Sequence, residues 1–378
     1  MAEFNLRVQK YHDGTVLGLR LYMLKYWMSY QNRRFWESYW PAFVRSKDKK
    51  MLLHTMLDLF RLTWTWQCLP YHYFRYGLYE KRFSYRDMLT YLPETVFFYE
   101  ILPQINKQTF LLDDKNVFES MIKGYGIPHP KTVFKTLKKT PYGSEMDVVV
   151  NKDYFSSVLK KTNADILFCK PADCGSGGKG IFILKRKNNM FVDEEGNQFS
   201  FDYLVKMSGS DWIIQEAVEN CQVLKNIYEY ATNSFRVLTY FKPSEGAKVM
   251  YCILKLGNNK AYTDNAHTGG IYVKIDTKTG NLADTAYDEN LYSYKAHPLT
   301  GVKFKDKKIA NIGQVVSLAE KLGNICPSMT FVGWDIALTP EGPVVLEGNS
   351  SPGLTIIQRT YGGMQEFIKL VQAAGVLK

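Results

Sequence analysis

The chain has 378 residues, with 48 Lys and Arg against 37 Asp and Glu, so its formal charge is +11. Its length and its 46% of hydrophobic residues allow a large buried core, which excludes a globally disordered chain. The positive charge favours anionic partners (nucleotides, acidic sugars, nucleic acid or a membrane surface) without choosing among them.

The cysteines and the first residues indicate a compartment. The six cysteines include no C-x-x-C pair and no histidines at zinc-finger spacing, which is typical of reduced thiols. The start of the chain, MAEFNLRVQKYHDG, has no apolar signal segment, and no apolar run approaches the length of a membrane span. We therefore expect a cytoplasmic protein, which could also work at the inner face of the membrane.

Residues 1–105 are predicted to form a helical region rich in aromatic and basic residues. They contain five of the seven tryptophans, and residues 19–65 lack glycine, as helices do. This composition suits stacking on sugars or nucleic acid, or a membrane interface. It equally suits a helical core with Lys and Arg on its wet face, which we favour. Nucleic acid is not expected as a partner because no recognition motif accompanies the charge, whereas a peripheral contact with a membrane or a glycosyltransferase stays open.

From residue 106 to about 218, short helices and strands should alternate. A helix is predicted to begin after Asp113 or Asp114 and to end at Gly124 or Gly126, ahead of two prolines. Residues 212–219, WIIQEAVE, form an apolar strand that turns polar, and such a strand could offer backbone groups to an adenine. Taken alone, it is also an ordinary strand.

Two apolar runs within residues 166–186 flank a glycine-rich loop over 175–180. Bare backbone amides in such a loop can approach phosphate oxygens closely. The loop contains the string G-x-G-x-x-G, but the dinucleotide-binding fingerprint opens a helix, whereas IFILK after this loop predicts a strand. A flap over phosphates and a plain glycine-rich hairpin turn both stay open, and the kinase motifs H-R-D and D-F-G are absent.

Residues 231–241 and 249–257 predict antiparallel strands, each with one cation in an apolar run, Arg236 and Lys255. A buried cation needs an anion, which a phosphate can supply. The polar loop that follows could line a phosphate or carboxylate pocket with Asn265, His267, Gly269 and Gly270, although a lone histidine is more often a simple loop residue.

Residues 330–353 predict a β-hairpin around the turn residues 339–342. With the loop centred on Glu341, Asp335 faces Glu347 across the ladder, and Asn349 shares their face. Trp334, Ile336, Leu338, Val344 and Leu346 are then expected to point into the core. Facing carboxylates repel unless a hard cation such as Mg²⁺ joins them, so the pattern indicates either a metal site or a solvated polar face.

These motifs stand in an order that resembles the ATP-grasp superfamily, most closely its sugar-transfer-associated branch. The resemblance covers about 110–358 and rests on the segments Lys170-Pro171, the glycine loop, Gln215-Glu216, N-S-F-R at 233–236, D-N-A-H-T-G-G at 264–270, H-P-L-T-G at 297–301 and G-W-D with E-G-N. More distantly, H-x-G-G and E-x-N-x-S-P-G-L look like segments of glutamate ligases that modify protein tails.

The resemblance implies an α+β fold in which two lobes clasp ATP, preceded by the helical N-terminal region. The expected domains are 1–105, an N-lobe with the glycine-rich flap over 106–218, and a C-lobe with the metal site over 219–378. It also implies a carboxylate–amine ligase that forms ADP through an acyl phosphate. The substrates would be an acidic sugar, or its activated precursor, and an amino acid or amine, in surface polysaccharide synthesis.

The resemblance further implies roles for individual residues. Two Mg²⁺, with Mn²⁺ as an alternative, would be held by Asp335, Glu347 and Asn349. ATP would be contacted by Lys115, Lys170, the loop residues Gly175, Ser176, Gly177, Gly178 and Lys179, and the adenine hinge Gln215, Glu216, Ala217 and Val218. The catalytic side chains would be Arg236, Lys255 and Asn265, and the substrate contacts His267, Gly269, Gly270 and Ser351.

Two alternatives stay open at this point. One is a peptide ligase that makes a small metabolite from two amino acids. The other is an ATP-dependent phosphotransferase, or a nucleotide-sensing partner of a glycosyltransferase, that forms no amide.

Overall fold

The computed structural model describes residues 32–172, 180–265, 269–290 and 292–377. Short helices occupy the first part of the described chain and confirm the predicted helical character over residues 32–105. The remainder of that prediction, residues 1–31, lies outside the described residues. Their bounds are α1 Asn32–Arg34, a π-helical turn Phe35–Tyr39, α2 Trp40–Arg45, α3 Leu52–Trp66, α4 Tyr71–Arg75, α5 Tyr85–Met88, α6 Glu94–Val96, a second π-helical turn Phe97–Ile101, α7 Leu102–Ile105, α8 Phe110–Asp113 and α9 Lys115–Gly124.

The first sheet has six antiparallel strands in the order β2-β1-β6-β3-β4-β5. The strands are β1 Thr132–Leu137, β2 Thr140–Gly143, β3 Ile166–Pro171, β4 Phe182–Lys187, β5 Met190–Val192 and β6 Trp212–Glu216, and two helices accompany them, α10 Lys152–Lys160 and α11 Phe201–Met207. Side-chain caps from Asn151 and Ser200 begin the two helices. The helices, with the segments beside them, and the sheet share a core in which Phe134 and Phe155 stack at 5.1 Å.

The second sheet has seven antiparallel strands in the order β11-β10-β9-β8-β7-β12-β13. Its elements are α12 Gln222–Lys225, β7 Ser234–Lys242, β8 Gly246–Leu256, β9 Ile271–Ile275, β10 Leu282–Tyr287, β11 Ser293–Tyr294, α13 Ile312–Ile325, β12 Phe331–Thr339, β13 Gly342–Asn349, α14 Thr355–Tyr361 and α15 Gln365–Ala373. Among the described helices, none combines the length and the hydropathy that crossing a bilayer requires.

The second sheet is covered on both faces because its side chains alternate along each strand. On β7, Val237 lies in the core formed with α13, α8 and α9. Its neighbour Leu238 belongs to the opposite core, shared with the aromatic N-terminal helices and with α14 and α15. The N-terminal helices therefore pack directly on the second sheet, and one hydrophobic core joins them.

The predicted hairpin is β12–β13, and its register confirms the pairing of Asp335 with Glu347. The turn itself is shorter than predicted, because Thr339 pairs with Gly342 and only two residues connect the strands. A β-bulge at Leu346 then restores the predicted register beyond it. As a result, the prediction for the apolar side of β13 was wrong: Val345, not Val344 or Leu346, lies fully buried in the core, and Leu346 turns to the other face.

Candidate active site

A cleft lies between the two sheets. The first sheet contributes side chains from β3 and β6 and the segment before β4, and the second contributes side chains from β7, β8, β12 and β13. Its lining is apolar at Phe168, Ile181, Val218 and Leu346, and most of the other lining residues are polar or charged. The cleft can therefore hold a flat apolar ring together with a polyanion.

The hairpin brings the three predicted metal ligands together. Asp335 on β12 is paired with Glu347 on β13, Asn349 follows two residues on, and all three side chains line the cleft. The backbone carbonyl of Gly333 accepts a hydrogen bond from the Asn349 side-chain amide at 3.3 Å. The amide nitrogen is thus turned to the backbone, which leaves the amide oxygen for the cleft.

Two cations, the partly buried Arg236 and the buried Lys255, bind the Asp335 carboxylate. Arg236, its cross-strand neighbour on β7, donates from Nε to Oδ1 at 2.5 Å and from a terminal nitrogen to Oδ2 at 3.0 Å. Lys255 on β8 lies 3.3 Å from Oδ2. Burial alone raises the pKa of the Asp335 carboxyl, but the attraction of Arg236 and Lys255 outweighs burial and lowers the pKa to about 2. Asp335 is therefore a carboxylate at any physiological pH.

Asp264 is a charged residue of the cleft that the sequence prediction did not include. Its carboxylate lies 3.1 Å from the Lys255 ammonium and accepts hydrogen bonds from the backbone and the hydroxyl of Ser234. Burial raises the pKa of Asp264, and Lys255 offsets part of that rise. The two aspartates hold Lys255 charged despite its burial, since together they raise its pKa. The D-N-x-x-x-G-G segment was a signal for this residue, but we assigned the role to its neighbour Asn265.

Lys115 and Lys170 reach the same end of the cleft from the first half of the chain. Lys115 is the first residue of α9, which Asp114 caps, and its ammonium lies 3.7 Å from Glu347. Lys170 lies near the end of β3, and its ammonium donates to the Gln215 side-chain oxygen at 3.1 Å. Four cations therefore line the cleft: Lys115, Lys170, Arg236 and Lys255. Carboxylates of the same cleft already form ion pairs with three of them, Lys115, Arg236 and Lys255.

A buried polar chain supports Lys170 from behind. The Gln215 amide donates to Thr132 Oγ1 at 3.2 Å, and Thr132 donates in turn to the Glu119 carboxylate. Glu119 also forms an ion pair with Lys135, and both side chains are buried. Gln215 does not itself line the main cleft; its side chain positions Lys170.

We expect the Lys135–Glu119 pair to be needed for folding rather than for chemistry. Lys135→Met leaves the Glu119 carboxylate buried without its cation, so urea unfolding should show a loss of about 3–5 kcal/mol. The double variant Lys135→Met/Glu119→Leu removes both charges and should recover a large part of that loss. A single variant as stable as the wild-type chain would contradict this assignment.

The predicted adenine hinge forms one edge of the cleft. The backbone amides of Glu216 and Ala217 donate to the carbonyls of Lys131 and Ile166, both at 2.9 Å, so neighbouring strands use them. The side chains of Glu216 and Val218 line the cleft, and Glu216 lies 3.1 Å from the Lys131 ammonium. The apolar side chains Phe168, Ile181 and Leu346, which we had not predicted, belong to the same cleft and could cover a ring.

The predicted substrate contacts are only partly brought together. Asn265 lines the cleft, whereas Gly269, Gly270 and Ser351 are outside the cleft lining as far as the described residues show. Gly270 donates to the Asn265 carbonyl at 3.0 Å, and a Cβ there would meet the Asp264 carbonyl oxygen at 2.6 Å, so the position admits only glycine. His267 and the loop residues Gly175, Ser176, Gly177, Gly178 and Lys179 lie outside the described residues.

The donor set at the hairpin fits a hard divalent cation. Two carboxylates and an amide supply the oxygen ligands that Mg²⁺ prefers, and Mg²⁺ commonly completes its shell with substrate phosphates. Among the described residues, no group of three or more His, Cys, Asp or Glu side chains is arranged as a metal site. The protein would thus supply few ligands. Arg236 and Lys255 now bind both carboxylate oxygens of Asp335, and at least one of these oxygens would have to become available to the metal.

The sequence matches the family described as sugar-transfer associated ATP-grasp over residues 99–369. The match includes both sheets and the whole cleft, and it confirms the predicted ATP-grasp fold. A search of the curated proteins returned no significant match.

Several solved structures resemble this chain at low identity. N5-carboxyaminoimidazole ribonucleotide synthetase in complex with ADP is 11% identical, with a TM-score of 0.38, over 65% of this chain and 47% of its own. The D-alanine-D-alanine ligase from Coxiella burnetii is 12% identical, with a TM-score of 0.36, over 70% and 62% of the two chains. D-alanyl-alanine synthetase A from Vibrio cholerae is 11% identical, with a TM-score of 0.39, over 71% and 65%. The chain thus spans about half to two thirds of the length of these structures.

Proposed function

This chain belongs to the sugar-transfer associated ATP-grasp family, and we propose that it is an ATP-dependent, ADP-forming carboxylate–amine ligase. The proposed acid is a sugar acid, or its nucleotide- or lipid-linked precursor, and the proposed amine is an amino acid or another small amine. The description of the family supports the sugar. The product would enter the synthesis of a surface polysaccharide.

One observation carries the proposal. Asp335 faces Glu347 across the ladder and is gripped by Arg236 and Lys255, within a cleft that Lys115 and Lys170 also line. A triphosphate with a bound metal ion would match both the positive and the negative side chains of the cleft. The cations would bind phosphate oxygens, and the carboxylates would bind the metal ion. Mg²⁺, when bound, would neutralise phosphate charge and orient the leaving group.

The proposed reaction has two steps. A carboxylate oxygen of the sugar attacks the γ-phosphorus of ATP, the bond from that phosphorus to the bridging oxygen breaks, and ADP leaves. The amine nitrogen then attacks the acyl carbon, inorganic phosphate leaves, and the surplus amine proton passes to solvent. Arg236 and Lys255 would stabilise the charge on the transferred phosphoryl group, and Asn265, which also lines the cleft, would stabilise the acyl phosphate.

The pH dependence of proton uptake on ATP binding should report the protonation of Lys170. Burial is the main reason that the pKa of Lys170 falls to about 8 in the free protein; Lys115 lowers it further, and Glu347 opposes the fall. A phosphate beside the ammonium favours its charged form, so binding should take up most of a proton near pH 9 and almost none near pH 6.5. Calorimetry in buffers of different ionisation heat measures this uptake. Uptake that is unchanged in Lys170→Met would contradict the assignment.

Substrate screening tests the reaction class. The full chain is incubated with Mg-ATP and a matrix of uronic acids and amines, ADP and phosphate are measured, and every positive pair is analysed by mass spectrometry. ADP release that needs both partners, with a product one water lighter than their sum, supports the ligase. Release with the acid alone and a stable phosphorylated product would instead assign a phosphotransferase. Release with two amino acids and no sugar would assign a peptide ligase.

A further inference from the structure

Helix α3 carries apolar side chains on two opposite faces. One face packs on the N-terminal core through Leu62 and Trp66. The opposite face, here called the outer face of α3, consists of side chains that are 45–73% exposed, namely Leu52, Leu53, Met56, Leu57, Phe60 and Trp64. Their spacing of three and four residues places most of them on one stripe of the helix. A helix on the surface of a water-soluble protein normally keeps its outward face polar.

The packed face of α3 is less apolar than its outer face. Its packed face includes Thr55 and Asp58, and Asp58 accepts a hydrogen bond from Lys50 at 2.8 Å and from the Tyr73 hydroxyl at 3.3 Å. The most exposed of its large hydrophobic side chains is Trp64, at 73%. Isolated apolar side chains on a surface are common, but six on one helix form a patch that indicates an interaction.

The residues around this patch are predominantly basic. Residues 32–66 contain seven Lys and Arg against three Asp and Glu. Two of those acids are already engaged, because Asp58 binds Lys50 and Glu37 binds Arg33. Arg45, Lys47 and Arg61 are exposed and form no ion pair with any carboxylate in the described ranges. Exposed cations that pair with no described carboxylate therefore occur on α3 itself and in the segment that leads into it.

We propose that the outer face of α3 docks on the surface of an anionic lipid bilayer. This inference goes beyond the ligase activity and does not depend on it. An α-helix of 15 residues is about 22 Å long, shorter than the ~30 Å hydrocarbon layer, so α3 would lie in the interface rather than cross it. Phe60 and Trp64 would enter the boundary between headgroups and acyl chains, and the unpaired cations would reach the lipid phosphates.

A bilayer explains the charge pattern better than a protein surface does. Lipid phosphates are distributed over the whole plane and neutralise cations wherever these border the patch, whereas a protein partner needs acids at matched positions. Trp36 and Trp40 lie next to one another with ring centroids 5.9 Å apart, and both are partly exposed. Tryptophan is typical of the headgroup level of membranes.

Vesicle sedimentation tests this proposal with the full chain. The vesicles contain phosphatidylcholine alone or phosphatidylcholine with phosphatidylglycerol. We expect sedimentation with the anionic vesicles, and we expect Phe60→Gln/Trp64→Gln to lower the partition coefficient about a hundredfold. The matched pair Phe60→Leu/Trp64→Phe keeps an apolar surface and should stay within a few-fold of the wild-type chain. Arg45→Gln and Lys47→Gln should each cost about fivefold on anionic vesicles.

Other results would overturn the proposal. The first is equal sedimentation of the two double variants, and the second is no sedimentation of the wild-type chain with either vesicle. The third comes from light scattering. A wild-type dimer that becomes a monomer in Phe60→Gln/Trp64→Gln would assign the outer face to contact with a second copy of the chain. ATP turnover should be the same in all of these variants, because no residue of the outer face lines the cleft.

Discussion

Asp335→Asn should abolish product formation, with a fall in turnover of at least about 10³-fold. The substitution keeps the shape of the side chain but removes the charge that a metal ion needs and that Arg236 and Lys255 now share. It also leaves the partly buried Arg236 without its anion, so we expect a loss of stability of up to about 3 kcal/mol. Turnover and Mg-ATP affinity should therefore be measured well below the unfolding temperature of the variant.

Glu341→Gln is the matched control for this result. Glu341 is an exposed carboxylate on the same hairpin, in the two-residue turn, and it binds only the Thr339 hydroxyl among the described side chains. It should retain wild-type turnover, which separates loss of the site from loss of any acid on the hairpin. An Asp335→Asn protein within tenfold of wild-type turnover would refute the metal and phosphate assignment of this hairpin.

Arg236→Met should lower kcat by about 10²–10³-fold while changing the affinity for ATP less than tenfold. The reason is that Arg236 is aimed at the carboxylate end of the cleft, where the transferred phosphoryl group would develop charge, and does not belong to the apolar part that would hold the base. Removing it also leaves Asp335 with Lys255 alone, so the pKa of Asp335 should rise from its value of about 2.

Lys242→Met provides the comparison on the same strand. Lys242 ends β7, is partly exposed and pairs with Glu245 at 3.1 Å, outside the cleft. Exposed pairs of this kind contribute about 0–1 kcal/mol, so both kcat and stability should stay near wild-type values. An equal fall in kcat in Arg236→Met and Lys242→Met would contradict a catalytic role for Arg236. So would an Arg236→Met variant in which only the affinity for ATP falls.

Local patterns were sufficient to predict the hairpin and its carboxylates. Alternation along two strands and a Pro-Glu turn place Asp335, Glu347 and Asn349 on one face, and the structure has that pairing. The bulge at Leu346 was not predictable, because inserting one residue changes no composition signal and only exchanges which side chains face the core. That exchange decides that Leu346, rather than Val345, lines the cleft.

Non-local pairing explains most of what the sequence could not predict. Arg236 meets Asp335 because β7 lies between β8 and β12, an order in which strands 99 residues apart become neighbours. No periodicity within either strand encodes that neighbour relation. The chain from Gln215 through Thr132 to Glu119 is likewise assembled from three separate segments, so its support of Lys170 is visible only in the folded protein.

Helix α3 shows where helical periodicity is ambiguous. Apolar residues at spacings of three and four predict a core-facing stripe, and Leu62 and Trp66 form one. A second stripe with the same spacing, including Leu53 and Trp64, is exposed instead. Periodicity identifies apolar faces but cannot tell how many of them the chain itself covers.

The most direct test of the central claim is the fate of a carboxylate oxygen. The acid that supports ADP release is prepared with ¹⁸O in its carboxylate and incubated with Mg-ATP, the amine and the enzyme, and the phosphate released is analysed by mass spectrometry. An acyl-phosphate ligase transfers one ¹⁸O atom from the acid to each phosphate, in step with amide formation. Phosphate free of ¹⁸O, formed while amide accumulates, would contradict the proposed attack of the carboxylate on ATP.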